Sequence, residues 1–380
     1  MAIIFFLIVL SVLVIVHEAG HFIAAKKAGV RVDEFGLGFP PKAFKLFRKW
    51  NTDFTLNWIP FGGFVKIFGE NYDENQPHVR HGTSPMSDMG LGQNLGQEKH
   101  FTQVSKVWQV IILAAGVTFN VLLAWLLFST SFLIGMPYSV DNDLGSRVSN
   151  AEVTIISVLP ESPAEMAGLK SGDVVVGFSR SDTPADGAMV TPEALSSFIS
   201  ESDEEVILKI KRGRSIFETA VEPSEMVVDG RYAIGINMDM VGTLQLPFLE
   251  AFWEGAKTTY YMIINTVKGL SALLFDAVRG RADLSQVTGP VGIVGIVGEA
   301  SILGFVYILT LTAFISINLA VINLLPFPSL DGGRILFVII EVVKGKPVSP
   351  RVFNAINSVS FALLILVMLL ITVRDVSNLF

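Results

Sequence analysis

Three stretches of this chain, residues 107–140, 301–330 and 352–373, contain no charged side chain. Each exceeds the roughly 20 residues that a helix needs to cross a bilayer, so they are expected to be spans two, three and four of a membrane protein. Span one is predicted at residues 2–25, apolar except for His17, Glu18 and His21. A cleaved signal peptide carries its positive charge ahead of the apolar run. Here Lys26 and Lys27 follow the run and nothing basic precedes it, so a retained helix is expected. Charged residues make up 17% of the chain against about 25% in soluble domains, which argues against a wholly cytosolic enzyme. The net charge of -7 offers no basic footprint for phosphate backbones, and nucleic acid is not an expected partner.

Positive charge near span ends sets orientation. Lys26, Lys27, Arg31, Lys42, Lys45, Arg48 and Lys49 crowd the region just after span one, which puts residues 26–106 on the cytoplasmic side. By alternation the polar insert between spans two and three lies outside, together with both termini. Within that insert, residues 153–158 and 174–178 read as strands and 192–200 as a short helix. Residues 206–210 and 216–221 read as a hairpin around Arg212, Gly213 and Arg214. The run ESPAEMAGLKSGDVVVGF at 161–178 resembles the PDZ domains of bacterial proteases, in one copy over about residues 151–223.

Beyond the insert, residues 224–300 are expected to hold a strand, an amphipathic helix over 247–280 lying on the outer surface, and a Gly-rich apolar segment. That segment, TGPVGIVGIVG at 288–298, is expected to be broken and partly immersed. Residues 332–351 read as an interfacial helix and loop. Residues 71–100, polar and Gly-rich with His78, His81 and His100, read as an exposed loop.

His17-Glu18-Ala19-Gly20-His21 matches the H-E-x-x-H pattern. On a helix the two histidines share one face and can reach one Zn2+, and Glu18 sits where it can accept a proton from an attacking water. Composition alone predicts about 0.003 such motifs in a chain of this length. A bland alternative is a pair of hydrogen-bonded histidines with a surface glutamate. It is weakened by depth: at about 1.5 Å per residue, His21 lies roughly 7 Å inside the boundary that Lys26 marks, where ionisable groups are costly and usually functional. Cysteine is absent, so any metal must be held by His, Asp or Glu. A catalytic zinc takes three protein ligands and keeps one open position. Asp331, the first carboxylate after the long uncharged run of span three, approaches the same leaflet as His21. It also reads as an ordinary N-cap of the helix that follows.

The H-E-x-x-H of the first span, together with Asn323-Leu324-Leu325-Pro326-Phe327-Pro328-Ser329-Leu330-Asp331-Gly332, resembles the site-2 protease family of intramembrane zinc metalloproteases, in particular its bacterial RseP-type branch. IPFGGFVKIFGE at 59–70 is similar to that branch's membrane-reentrant β-element, here about 54–69. GVTFN at 116–120 is similar to its second-span motif, and LPFLEAFWEGA and TGPVGI to the segments preceding span three. The resemblance implies a polytopic α-helical membrane protein with four transmembrane helices, a membrane-associated β-element and one extracytoplasmic PDZ domain. It implies His17, His21 and Asp331 as zinc ligands, Glu18 as general base and Asn323 as a contact to the substrate backbone or oxyanion. It further implies a bacterial inner membrane location, single-pass membrane substrates such as trimmed anti-sigma factors or signal-peptide remnants, and a peptide or protein ligand for the PDZ domain. The RseP type often carries two PDZ domains where this chain has one.

A helical substrate has its peptide groups tied in internal hydrogen bonds and must be unwound before it can react, and an exposed β-edge offers replacement bonds. Residues 61–68, with Phe64, Val65 and Lys66 at their centre, are the candidate edge; a plain amphipathic hairpin fits the same residues. Two rivals come from other classes. A catalytically silent membrane PDZ adaptor with a structural metal has no need of Glu18. A metal transporter would place ionisable residues on several spans near the midplane, and spans two and four have none.

Overall fold

The computed structural model describes residues 2–70, 99–180, 190–201, 203–213, 215–228, 231–281 and 288–377. An unbroken apolar run forms α1 (Ala2–Lys27), followed by two long strands, β1 (Val32–Lys49) and β2 (Thr52–Ile67). Trp50 and Asn51 join them with φ of 50° and 54°, the left-handed pair that a two-residue hairpin turn favours. Then come α2 (Lys106–Ile134), β3 (Met136–Ser139), β4 (Ser149–Val158), α3 (Pro163–Met166), β5 (Val174–Arg180), α4 (Pro192–Ser200) and the strands β6 (Val206–Arg212), β7 (Ser215–Val221), β8 (Ser224–Val228), β9 (Arg231–Ala233) and β10 (Ile236–Leu244). Five helices complete the chain: α5 (Phe248–Val278), α6 (Pro290–Leu303), α7 (Phe305–Asn323), α8 (Asp331–Lys344) and α9 (Pro350–Ser377).

Among the described residues, α1, α2, α7 and α9 are long and apolar enough to cross a membrane. In α9 only Phe353 and Ser360 are buried, while Phe361, Leu366, Leu369 and Leu370 are exposed. So wide an apolar surface is at home against lipid rather than water.

Several boundaries differ from the sequence expectation. Span two stops at Ile134, because Gly135 takes φ 127° and residues 136–139 enter β3. The third span, expected over 301–331 with its end disrupted by two prolines, is interrupted at its start as well: it comprises the end of α6, a break at Gly304 with φ 129°, and α7. The last seven residues before Asp331 are not helical, as Pro326 and Pro328, which remove backbone donors, lead one to expect. The Gly-rich segment expected to be broken is the continuous helix α6. Its first turn receives a cap from elsewhere: the N–H groups of Gly289 and Gly292 donate to the two oxygens of Asp375, at 3.3 and 2.9 Å. The β-element is twice as large as expected, for 32–49 is also a strand. The polar loop placed at 71–100, with His78 and His81, lies outside the described residues except for Lys99, which bridges Val30, and His100.

The chain divides into two compact units, Met1–Leu126 with Thr258–Val297 and Thr312–Phe380, and Leu127–Lys257 with Gly298–Leu311. In the first, Phe22, Ala25, Val32, Val65, Ile67, Ile112, Leu113 and Val338 form the core. The two strands bend so that they make four segments. Residues 42–49 pair with 52–57, and Glu34–Leu37 faces Asp53–Leu56 on one side and Gly63–Lys66 on the other. Among the described residues no further strand continues the sheet beyond 63–67, which is therefore an edge. Gly36 has no Cβ because the ring of Phe64 and the amide of Asn57 lie against it.

The second unit is an antiparallel sheet in the order β3-β10-β4-β5-β6-β7 over a core of Val153, Ile155, Leu169, Leu195, Leu208 and Ile210. Helices α3 and α4 start with Ser162 and Thr191, whose hydroxyls accept from the backbone N–H of Glu165 and Ala194, as N-caps do. Asp173, fully buried, accepts two bonds from the guanidinium of Arg212, at 2.6 and 2.7 Å. It also accepts one from the N–H of Lys170 at 2.9 Å. Removing the cation leaves a buried carboxylate without its counter-charge. Arg212→Ala should therefore destabilise this unit by about 3 kcal/mol, and Arg212→Lys by less, read as a fall in the melting temperature of the detergent-solubilised chain.

Candidate metal centre

Residues four apart on α1 bring the imidazoles of His17 and His21 together, with ring centroids 4.8 Å apart and the planes at 80°. Asp331 reaches them from the first position of α8. The N-cap of that helix is Leu330, with no side-chain cap bond, so the reading of Asp331 as an ordinary cap does not hold. Its carboxylate turns to the histidines because the residues after it are glycines. A Cβ at Gly332 would overlap the carbonyls of Leu324 and Leu325, and one at Gly333 the carbonyl of Phe327. Only a backbone this bare lets the proline-bent loop fold back on the start of α8.

Three ligand atoms then form a triangle. His17 Nε2 and His21 Nε2 are 3.2 Å apart, and Asp331 Oδ2 lies 3.2 Å from the first and 3.4 Å from the second. Ligand atoms about 2.0–2.2 Å from a tetrahedral ion stand about 3.3 Å from one another, so the triangle fits one face of a zinc tetrahedron. Among the described residues this is the cluster of His, Asp and Glu side chains disposed to hold a metal.

The outer nitrogens of the rings indicate the tautomer of each neutral imidazole. His21 Nδ1 is 2.8 Å from the carbonyl oxygen of Ile112; a carbonyl only accepts, so Nδ1 carries a proton, and in the neutral ring Nε2 is the nitrogen left with a lone pair for a metal. His17 Nδ1 is 3.2 Å from the side-chain amide of Asn120, whose Oδ1 is buried without a partner. Amide orientation follows from the bonding network. Turned over, Asn120 accepts from His17 Nδ1–H, and the orphaned oxygen is satisfied. Both Nε2 lone pairs then face Asp331 Oδ2, itself buried without a hydrogen-bond partner. In these tautomers both Nε2 lone pairs and Asp331 Oδ2 converge on one point, a donor set that fits a divalent cation.

The supporting groups come from one stripe of α2. Ile112, Gly116 and Asn120 are spaced by four, hence on one face, and supply a carbonyl, a gap and an amide. A Cβ on Gly116 would strike both imidazoles, and one on Gly20 of α1 would strike the carbonyl of Ala115, so the two helices meet backbone to backbone. Ser316 of α7 donates to the carbonyl of Asn120 at 2.8 Å and ties a third helix to the same point. Asn120 and Gly116 were visible only as part of the GVTFN resemblance; their four-residue spacing matches that of His17 and His21 and was the available signal.

Glu18, half-buried, lies beside the edge segment: a Cβ on Gly63 would come within 3.4 Å of its Cγ. Along that edge Val65 is buried in the core, whereas Phe64 is half-buried and Lys66 exposed, as the two-residue period of a strand demands. Asn323 is the last residue of α7 and half-buried. The structure thus joins His17, His21 and Asp331 directly and sets Glu18 next to the strand edge, with Asn323 one short loop before Asp331.

Comparison with known proteins finds metalloproteases. The profile of peptidase family M50 matches residues 5–367. A Clostridium perfringens protein that carries the name of a zinc metalloprotease is 32% identical over 379 residues, covering 99% of this chain and 98% of its own. The zinc metalloprotease RasP of Geobacillus kaustophilus is 28% identical over 439 aligned positions, covering 100% and 98%. The regulator of sigma-W protease RasP of Bacillus subtilis is 28% identical over 436, covering 99% and 98%.

The bond between Asn120 and His17 has a measurable consequence. Asn120→Ala should weaken zinc affinity about 10- to 100-fold, and Gly116→Val should prevent binding, since its side chain fills the space of the imidazoles. Titration of the purified apoprotein with zinc against a chromogenic chelator reads both.

Proposed function

The chain belongs to peptidase family M50, and from that membership we propose that it is an intramembrane protease that cuts the transmembrane segments of single-pass membrane proteins. It is a zinc metalloprotease. The observation that carries the finer reading is the acceptor triangle of His17, His21 and Asp331 on a helix apolar enough to cross a membrane. His21 and Glu18 precede Lys26 by five and eight residues, roughly 7 and 12 Å at 1.5 Å per residue. A peptide bond cleaved there has to enter the apolar layer.

His17, His21 and Asp331 would hold the metal. Bound there, zinc supplies a Lewis acid that polarises the scissile carbonyl and makes water a better nucleophile. Glu18, which is no ligand, accepts the proton from the attacking water and returns it to the leaving amine. Asn323, at the end of α7, is assigned by the family resemblance to bond the substrate backbone or the oxyanion. Gly63–Ile67 offers strand pairing to the unwound peptide, with Phe64, Val65 and Lys66 as its central residues, and Gly63 puts that edge against Glu18. Gly63 has to be small for the approach, because Val14 and the carbonyl oxygen of Gly36 occupy the space a side chain would need.

Lysine and arginine bias puts the site near the cytoplasmic leaflet of a bacterial inner membrane and the second unit outside. That unit's antiparallel sheet, with α4 packed against β9 and β10, supports a PDZ domain that takes an extracytoplasmic peptide or filters substrates by size. The name of the Bacillus subtilis relative, a regulator of sigma-W protease, supports membrane-bound regulators trimmed outside, alongside signal-peptide remnants, as substrates. A silent adaptor would not keep Glu18 beside the ligand triangle.

Glu18→Gln should slow cleavage of a model single-pass substrate by about 10² to 10⁴ while zinc stays bound, as metal analysis would show. Near-normal turnover by that variant would remove Glu18 from the mechanism. Replacing Lys66 and Val65 separately by Pro should spare zinc and impair helical substrates unequally, because alternate residues of an edge point their N–H groups the same way. Wild-type rates for both variants would end the strand-pairing reading.

A further inference from the structure

Asp331 is followed by two glycines, the most freely rotating start a helix can have, yet its carboxylate has to hold a position fixed to tenths of an ångström. Packing of the bent loop on Gly332 and Gly333 supplies part of the restraint. The rest comes from Arg334, three residues on and so on the same side of α8 as Asp331. The guanidinium of Arg334 pairs with the carboxylate of Glu70, and both side chains are largely sheltered, at 33% and 12% exposure.

Glu70 stands three residues past the end of β2, and its own backbone is firmly held. Its N–H donates to Ile67 at 3.3 Å, Phe68 N–H donates to Arg31 at 2.9 Å, and Phe101 N–H donates to Phe68 at 2.8 Å. The ring of Phe68 lies between the imidazole of His100 at 4.1 Å and the guanidinium of Arg31 at 4.9 Å. Glu70 is thus a fixed post at the end of the edge segment, and Arg334 fastens the helix bearing the third ligand to it.

We infer that Arg334 and Glu70 are a positioning pair, which sets the carboxylate of Asp331 in register with both histidines and with the strand edge at Gly63–Ile67. Neither touches the reacting atoms. The inference rests on the assignment of Asp331 as a metal ligand. A mobile Asp331 weakens the metal and misaligns the fourth position, so loss of the pair acts on zinc affinity and kcat. An arginine that bound substrate directly would act on KM instead, and Glu70 would then matter little.

The test compares Arg334→Ala, Glu70→Ala and the charge exchange Glu70→Arg with Arg334→Glu in the full-length protein in detergent, with Asp331→Ala as control. Zinc affinity is read by chelator competition, kcat and KM with a model transmembrane substrate, and folding by melting temperature. Each single variant should lose about tenfold or more in zinc affinity and in kcat, with KM within about twofold, and the exchange should recover most of both. Wild-type zinc affinity in both single variants, a rise confined to KM for Arg334→Ala alone, or no recovery on exchange would overturn the pair. If either single variant fails to fold, Arg334→Gln and Glu70→Gln replace it under the same criteria. Retention of zinc by Asp331→Ala would instead overturn the ligand assignment itself, which separates the two failures.

Discussion

Three lone pairs forced into contact inside an apolar helix bundle are unstable without a positive charge, and the rest of the first unit can be understood as what keeps them there. Water would dissolve the arrangement by hydrating each group separately. At the level of the membrane that escape is closed, so the groups must be satisfied internally or by an ion. The carbonyl of Ile112 and the amide of Asn120 take the outer nitrogens, which leaves the inner ones free to bind. Gly20 and Gly116 provide the helix contact that makes both reachable.

The same economy shapes the approach to the site. The edge segment can lie this close to α1 only because Gly63 lacks a side chain, which would meet Val14. The loop after α7 must turn within a few residues and bring a carboxylate back into the bundle, and two prolines with two glycines accomplish it. Stiffness is then restored from outside the turn, by an ion pair to a segment bonded into the sheet. Flexibility needed to build the turn and rigidity needed to hold a metal are thus assigned to different residues.

Features carried by strong local patterns were legible in the sequence. The apolar runs, the paired histidines of α1 and the alternating strands of the second unit each have a period that survives without tertiary context. Strand β1 was not legible: Pro40 and Pro41 interrupt it, and lysines alternate with phenylalanines on both faces at 42–49, so no side reads as buried. Helix α6 was missed because its glycines count against helix by propensity, and the compensating cap from Asp375 comes from more than eighty residues away. Asn120 was hidden for a related reason, since a lone amide in an apolar span has no meaning until the histidine it supports is placed against it.

The ligand set draws on the first helix and the eighth, with both strand systems threaded between them. During synthesis the two histidines enter the membrane early and stay without their carboxylate until nearly the whole chain has followed. A chain ended before Asp331 carries Glu18 and both histidines but not the third member of the cluster. Order of synthesis alone therefore separates the general base from the complete set of metal-binding side chains.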